Sequence, residues 1–238
     1  MRRLLLCLLL AAGLPAQNTS WGAEADFNSR YVWRGLTYSR GPVFQPAFWV
    51  TRGRVTASLW SNMVLNHEPR RGQFDQVFFS ATQERDQRGW KLEPTLQGYY
   101  WQGFRGESNA KTLELSFRAS RPVGPLRFFT SHTVDIAGFP GSYIADAGLE
   151  GKKRRWGLTW EANGMAAWAN ATFHRNYAGV ERRALNYAQW SVAVRKYSRH
   201  GWYIRPHAEF VVVVGAPIRR AVEARGLLVG GIAIGRGY

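Results

Sequence analysis

The sequence predicts an all-β protein: a single closed antiparallel transmembrane β-barrel of about twelve strands, with short turns at one rim and longer loops at the other. Three observations predict it. The first is the stretch Trp21–Arg34. By parity, Trp21, Ala23, Ala25, Phe27, Ser29, Tyr31 and Trp33 fall on one face, and Gly22, Glu24, Asp26, Asn28, Arg30, Val32 and Arg34 on the other. One face is small or apolar with aromatics at both ends; the other carries four charges. Such alternation marks a strand with a different environment on each side. Ordinary soluble strands run about five or six residues, whereas roughly 9–11 tilted residues span a bilayer between aromatic belts. A long edge strand of a soluble sandwich is the alternative that this segment alone leaves open. The second observation is that connections alternate short and long along the whole chain. The third is that tryptophan follows a short turn three times, at Trp90, Trp156 and Trp202, with Trp21 at the equivalent place on the first strand and Tyr238 ending the last strand at the same rim. A soluble sandwich has no reason to repeat that spacing. Together with Trp33 at the far end of the first strand, these residues are the expected membrane-interface girdle.

The elements follow in order. Met1-Arg2-Arg3 and the apolar run Leu4–Leu14 form a secretory signal peptide, with cleavage expected after Ala16. Residues 17–238 are then the barrel. The lone cysteine, Cys7, lies within the apolar run, so the expected mature chain has no thiol, disulfide or cysteine metal site. After Trp21–Arg34 comes a loop to Pro42. Val43–Thr51 turns Phe44, Pro46, Phe48 and Val50 outward, and a tight turn at Arg52–Arg54 leads to Val55–Val64. Leu65–Gly72 is a loop. Gln73–Gln83 is a strand of less certain phase, and Glu84–Gly89 a turn. In Trp90–Trp101, Trp90, Leu92, Pro94, Leu96, Gly98 and Tyr100 oppose Lys91, Glu93, Thr95, Gln97, Tyr99 and Trp101. Lys111–Ser120 places Leu113, Leu115 and Phe117 outward. Leu126–Ile136 is ambiguous, because His132 and Asp135 fall on opposite faces. Ser142–Gly151, a turn at Lys152–Arg155, and Trp156–Gly164 come next. Met165–Arg183 breaks the pattern and reads as the longest loop. Ala184–Tyr197, Trp202–Val211 and Leu227–Tyr238 complete the barrel, with Val212–Arg225 as a strand extension plus loop.

Ser29–Val64 resembles the TorF-like porins of Gram-negative bacteria. The matching pieces are Ser-Arg-Tyr-Val-Trp-Arg-Gly at 29–35, Leu-Thr-Tyr-Ser at 36–39, Pro46, and Trp60-Ser61-Asn62 after a short turn. The resemblance implies an outer-membrane location and a porin role, and brings no known solute. An aromatic C-terminus after an alternating strand also resembles the signal read by barrel-assembly machinery; Arg236 departs from that pattern.

The expected lumen is narrow and of mixed charge. Arg30, Arg34, Lys91, Arg118 and Arg205 face inward against Glu24, Asp26, Glu93, Glu114, Asp146, Glu150, Glu161 and Glu209. These are the candidate pore-lining residues, and Arg30 and Arg34, four apart near the outer mouth, are the ones expected to attract an anionic group. The whole chain carries +16; without Arg2 and Arg3, 30 basic residues stand against 16 acidic ones, a net of +14. That excess lies mostly in turns and loops, so anionic lipid headgroups or lipopolysaccharide, rather than nucleic acid, are the expected partners, alongside a small polar solute. There is no phosphate-cradling glycine motif and no metal-ligand spacing, so no cofactor is expected. The expected function is a narrow outer-membrane channel. Two alternatives remain: a non-conducting adhesin or anchor, and a lipid-modifying barrel enzyme. The enzyme needs a hydroxyl beside a histidine on the lipid face. Ser131 and His132 point to opposite faces, and nothing specifies whether Thr130 or a neighbouring strand supplies one.

Overall fold

A computed structural model describes residues 19–66, 71–103, 109–221 and 226–237. The predicted signal peptide, His67 and Tyr238 lie outside the described residues. The barrel strands are β1 (Thr19–Asn28), β4 (Val43–Arg52), β5 (Val55–Val64), β6 (Phe74–Gln83), β7 (Arg85–Gln87), β8 (Trp90–Trp101), β9 (Ala110–Val123), β10 (Leu126–Asp135), β11 (Tyr143–Arg155), β12 (Leu158–Ala169), β13 (Ala184–Tyr197), β14 (Trp202–Val213) and β15 (Gly226–Gly237). Each pairs antiparallel with its neighbour. β1 pairs with both β4 and β15, and β6 and β7 both pair with β8. β6 and β7 are therefore two segments of one strand, and the sheet closes into a twelve-stranded barrel. Closure leaves no edge with unpaired backbone groups. Two strands outside the barrel, β2 (Tyr31–Trp33) and β3 (Leu36–Ser39), form their own hairpin. Two helices occupy long connections, α1 (Ala171–Ala178) and α2 (Ala216–Ala221). No described helix is long and apolar enough to cross a membrane.

Two of the short turns take positive φ at both central residues, one of them a glycine. Arg88–Gly89 and Trp156–Gly157 both have φ between 51° and 79°, the requirement of a type I′ hairpin whose twist matches that of the strands. The outward face is apolar: Phe27, Phe48, Leu59, Phe79, Leu96, Leu115, Phe117, Leu149, Ile204 and Ile232 are all exposed. The inward face is polar, with Asn28, Gln45, Asn62, Gln76, Thr112 and Glu114 buried. The two strands of uncertain phase are resolved by the same criterion. Phe79 and Ala81 face out, and Phe129, Thr133 and Asp135 face in.

Several boundaries differ from the sequence expectation. The first strand stops at Asn28, not Arg34. Its partner β4 begins at Val43, opposite Asn28, so the ladder on that side ends there and the chain turns away. β11 runs through Lys152–Arg155, where the sequence predicts a turn. Residues 165–183 are not one loop. β12 continues to Ala169, and α1 follows, capped by the Asn170 side chain, which accepts from the Phe173 amide at 2.8 Å, and ended by Gly179 at φ 71°. Alanines 166, 167 and 169 give no hydropathy contrast, which hid the strand.

Candidate functional site

The hairpin β2–β3 folds into the lumen. Its turn, Arg34–Gly35, has φ of 51° and 78°, the same geometry as the rim turns. Tyr31 and Leu36 are buried. Trp33 meets Tyr99, Trp101 and Tyr177 edge-on or tilted at 5.3–5.9 Å, and Tyr31 packs on Trp60. The hairpin thus touches β5, β8 and α1 at once. Arg34 reaches Glu114 on β9 through two hydrogen bonds of 2.8 and 2.6 Å, a bidentate geometry that only a guanidinium provides. Gln97 donates to the same carboxylate at 2.7 Å, and the Arg34 guanidinium lies 4.3 Å from the Trp33 ring centroid. Asn186 on β13 donates to the Arg34 carbonyl oxygen at 3.1 Å. α1 covers the hairpin with Phe173 and Tyr177, both buried. Tyr177 donates to Asp135 at 3.3 Å; burial, then the nearby Glu114 carboxylate, push its hydroxyl well above the usual tyrosine range, so it stays a donor.

Below the hairpin the lumen is polar. Asp26, Asn28, Arg30, Gln45, Arg127, Glu150, Lys152, Glu161, Asn163, Arg205, His207 and Glu209 are among the residues lining a cavity of about 920 Å³ that reaches the short β9–β10 turn at Gly124 and Pro125. Its charges are mostly paired. Arg118 bonds Glu150 at 2.7 Å and nears Glu93 at 3.6 Å, while Lys91 contacts Glu84 at 2.8 Å and Glu93 at 3.6 Å. Lys152 and Arg195 both approach Glu161 at 3.4 Å. Asn28, Gln45, Asn62 and Asp75 form a side-chain chain with bonds of 3.0, 2.8 and 2.7 Å. Confined charges need such partners because they have lost much of their hydration. Arg30 stands apart: among the described residues it makes no hydrogen bond or ion pair, and its Nε is buried without a partner.

One cluster reaches across a strand. Glu24 on β1 accepts from Tyr203 at 2.7 Å and from Arg205 at 2.7 Å, both on β14, and Asp26 meets His207 at 3.0 Å. β15 lies between. Its inward positions include Gly231 and Gly235, where an added Cβ would lie 2.2 Å from Asn28 Oδ1 and 2.3 Å from the Tyr203 ring. Only glycine leaves the space for β1 and β14 to clasp over it.

The placement of the expected residues is therefore mixed. Asp26, Arg30, Glu161, Arg205 and Glu209 line the cavity. Glu24, Lys91, Glu93 and Arg118 lie in ion pairs. Arg34 is not an open cation on the same ladder as Arg30; it belongs to the inserted hairpin and is held by Glu114, itself only 2% exposed. Trp33 is not a girdle residue, because it is packed in the lumen. Trp21, Trp90, Trp156 and Trp202 lie at the short-turn rim, Trp156 being 74% exposed in its turn. Residues that the sequence reading did not assign to the site are Lys152, Arg127 and the aromatic hairpin core. On the outward face, His132 contacts Thr130 Oγ1 at 3.3 Å and Tyr143 Oη at 2.6 Å. Thr130 also donates to the Asp146 carbonyl at 3.0 Å, and β10 is laddered on both sides. The backbone amides around this hydroxyl are therefore taken up by strand pairing and offer no oxyanion hole. No group of three metal-ligating side chains occurs among the described residues.

No protein-family model matches the chain, and no curated protein matches it. Solved structures do match. The KdgM porin aligns with a TM-score of 0.54 at 8% identity, over 92% of this chain and 99% of that one. The fold is porin-like. The NanC porin aligns at 0.50 and 11% identity, over 90% and 97% of the two chains. An outer membrane channel from Pseudomonas putida F1 aligns at 0.51 and 10%, over 95% and 97%. At these identities the likeness is one of fold, and the TorF-like resemblance does not extend to a family assignment.

Proposed function

We propose that this protein is a bacterial outer-membrane channel for passive passage of small polar or charged solutes. The observation that carries this reading is the charged cavity of about 920 Å³ inside a closed barrel whose outside is apolar. An apolar exterior and polar interior are the signature of a barrel in lipid with water inside. The fold likeness to porins supports it, and a KdgM porin, at a TM-score of 0.50, is known in complex with disordered oligogalacturonate, a polar solute. The short-turn rim is periplasmic in this reading, the hairpin narrows the outer half of the lumen, and Arg30 is the cation that meets a solute's anionic group. Residues 1–16 are removed on export, giving a mature chain that starts at Gln17.

Purified full-length protein in planar bilayers tests the proposal. Small conductance steps are expected, and Arg30→Ala should shift the ion preference away from anions. A second reading, a non-conducting adhesin or anchor, is favoured by one observation: the hairpin and α1 fill the outer half of the lumen with buried aromatics. A folded barrel that neither conducts nor admits solutes into liposomes decides for that reading.

A further inference from the structure

The lumen pairs most of its charges, so most of the positive excess of the sequence lies elsewhere. Part of it gathers on the outward face of the sheet, at the short-turn rim. Arg52, Arg121, Lys153, Arg155, Lys196 and Arg236 lie within the last three residues of barrel strands there. They keep the parity of the outward apolar residues: Phe48 leads to Arg52, Phe117 to Arg121, Leu149 to Lys153 and Arg155, Val192 to Lys196, and Ile234 to Arg236. Among the described residues no aspartate or glutamate shares that outward face. Three of the cations sit over rim tryptophans. Arg121 is 5.3 Å from the Trp90 centroid, Arg155 is 4.1 Å from Trp156, and Arg236 is 5.5 Å from Trp202.

A tryptophan at a membrane edge settles at headgroup depth. The Arg121 and Arg155 guanidiniums, on the faces of Trp90 and Trp156, are held at that depth, each a planar fork of N–H donors that fits a phosphate. An aspartate or glutamate would compete for their donors, and among the described residues none lies on this face. We infer that this collar binds the phosphate of anionic phospholipid headgroups in the leaflet at the short-turn rim. The inference rests on the membrane reading above, and goes beyond it by naming a lipid class and a site.

Native mass spectrometry of the full chain, refolded into phosphatidylcholine vesicles containing a minor fraction of phosphatidylglycerol and released in mild detergent, tests it. Retained phosphatidylglycerol should exceed its share of the vesicle roughly fivefold or more, as expected from about one favourable contact per cation, and salt should reduce the excess. The double variant Arg121→Gln, Arg155→Gln should lose the enrichment, and Arg182→Gln with Arg183→Gln, in the loop after α1, should keep it. Arg121→Gln alone, expected to lose part of it, serves if the double variant does not form a heat-modifiable barrel. Lipid retained in proportion to vesicle composition, or enrichment that survives both collar variants, overturns the inference. Failure of the wild-type barrel to insert into vesicles of any composition overturns the membrane reading and the collar with it; insertion without enrichment overturns the collar alone.

Discussion

Arg34 and Glu114 show how one pair of residues can decide the state of a lumen. Both are largely withdrawn from water, at 12% and 2% side-chain exposure. A buried ion pair adds little net stability over an apolar pair of the same shape, but removing one partner costs about 3–5 kcal/mol because the other charge is stranded. Glu114→Ala should therefore loosen the hairpin and enlarge the conductance steps in planar bilayers, while Arg34→Met combined with Glu114→Leu should leave them small. Steps that do not change in Glu114→Ala would mean that the aromatic packing alone holds the hairpin. The parity from Trp21 to Asn28 holds in the structure, but the turn at Arg34-Gly35 falls where the sequence predicts the end of a strand, although it has the same Arg-Gly pair and positive φ as the turn at Arg88-Gly89. The partner was not legible, since Glu114 is eighty residues away and no local pattern links the two.

At the scale of elements, α1 shows the limit of hydropathy periodicity. Its eight residues carry no clear apolar stripe, and the alanines before it blur the end of β12. Its caps, Asn170 and Gly179, are ordinary start and stop signals. Asn170 does more than cap: its Oδ1 also accepts from the Tyr143 amide at 3.1 Å and its Nδ2 donates to the Gly141 carbonyl at 2.8 Å. These bonds tie the helix to the β10–β11 loop. Asn170→Ala should cost the helix about 0.5–2 kcal/mol for the cap. Amide hydrogen exchange should accelerate over residues 171–178 and leave the barrel strands unchanged; acceleration spread through β11 and β12 would show that the helix supports the wall as well.

For the whole molecule, strand number was legible, as was the inside–outside phase of the barrel strands other than those at 73–83 and 126–136, because the barrel wall separates two solvents along the strands. Cysteines placed at Phe27, Leu96 and Leu158 should react with lipid-soluble reagents, and those at Asn28, Gln97 and Thr159 with water-soluble ones. A reversal would mean a register error of one residue, which turns every side chain over. The inserted hairpin was not legible in the same way. Its alternation continues that of β1, and what ends the strand is the start of its partner at Val43, a fact of pairing rather than of local sequence.

The glycines of β15 bear on how long the barrel stays shut. The clasp over that strand joins residues 179 and 181 positions apart, and closing so long a loop costs on the order of 5 kcal/mol in chain entropy. Such contacts form late, when the first and last strands meet. Interactions absent until after the folding barrier set the rate of unfolding rather than of folding. Gly235→Val, which would push the Tyr203 ring from Glu24, should shorten the lifetime of the compact form in denaturant several-fold and barely slow its appearance on refolding, as followed by unheated gel mobility. A side chain that β15 lacks would thus be felt as time: the seam between the two ends of the chain would come apart sooner.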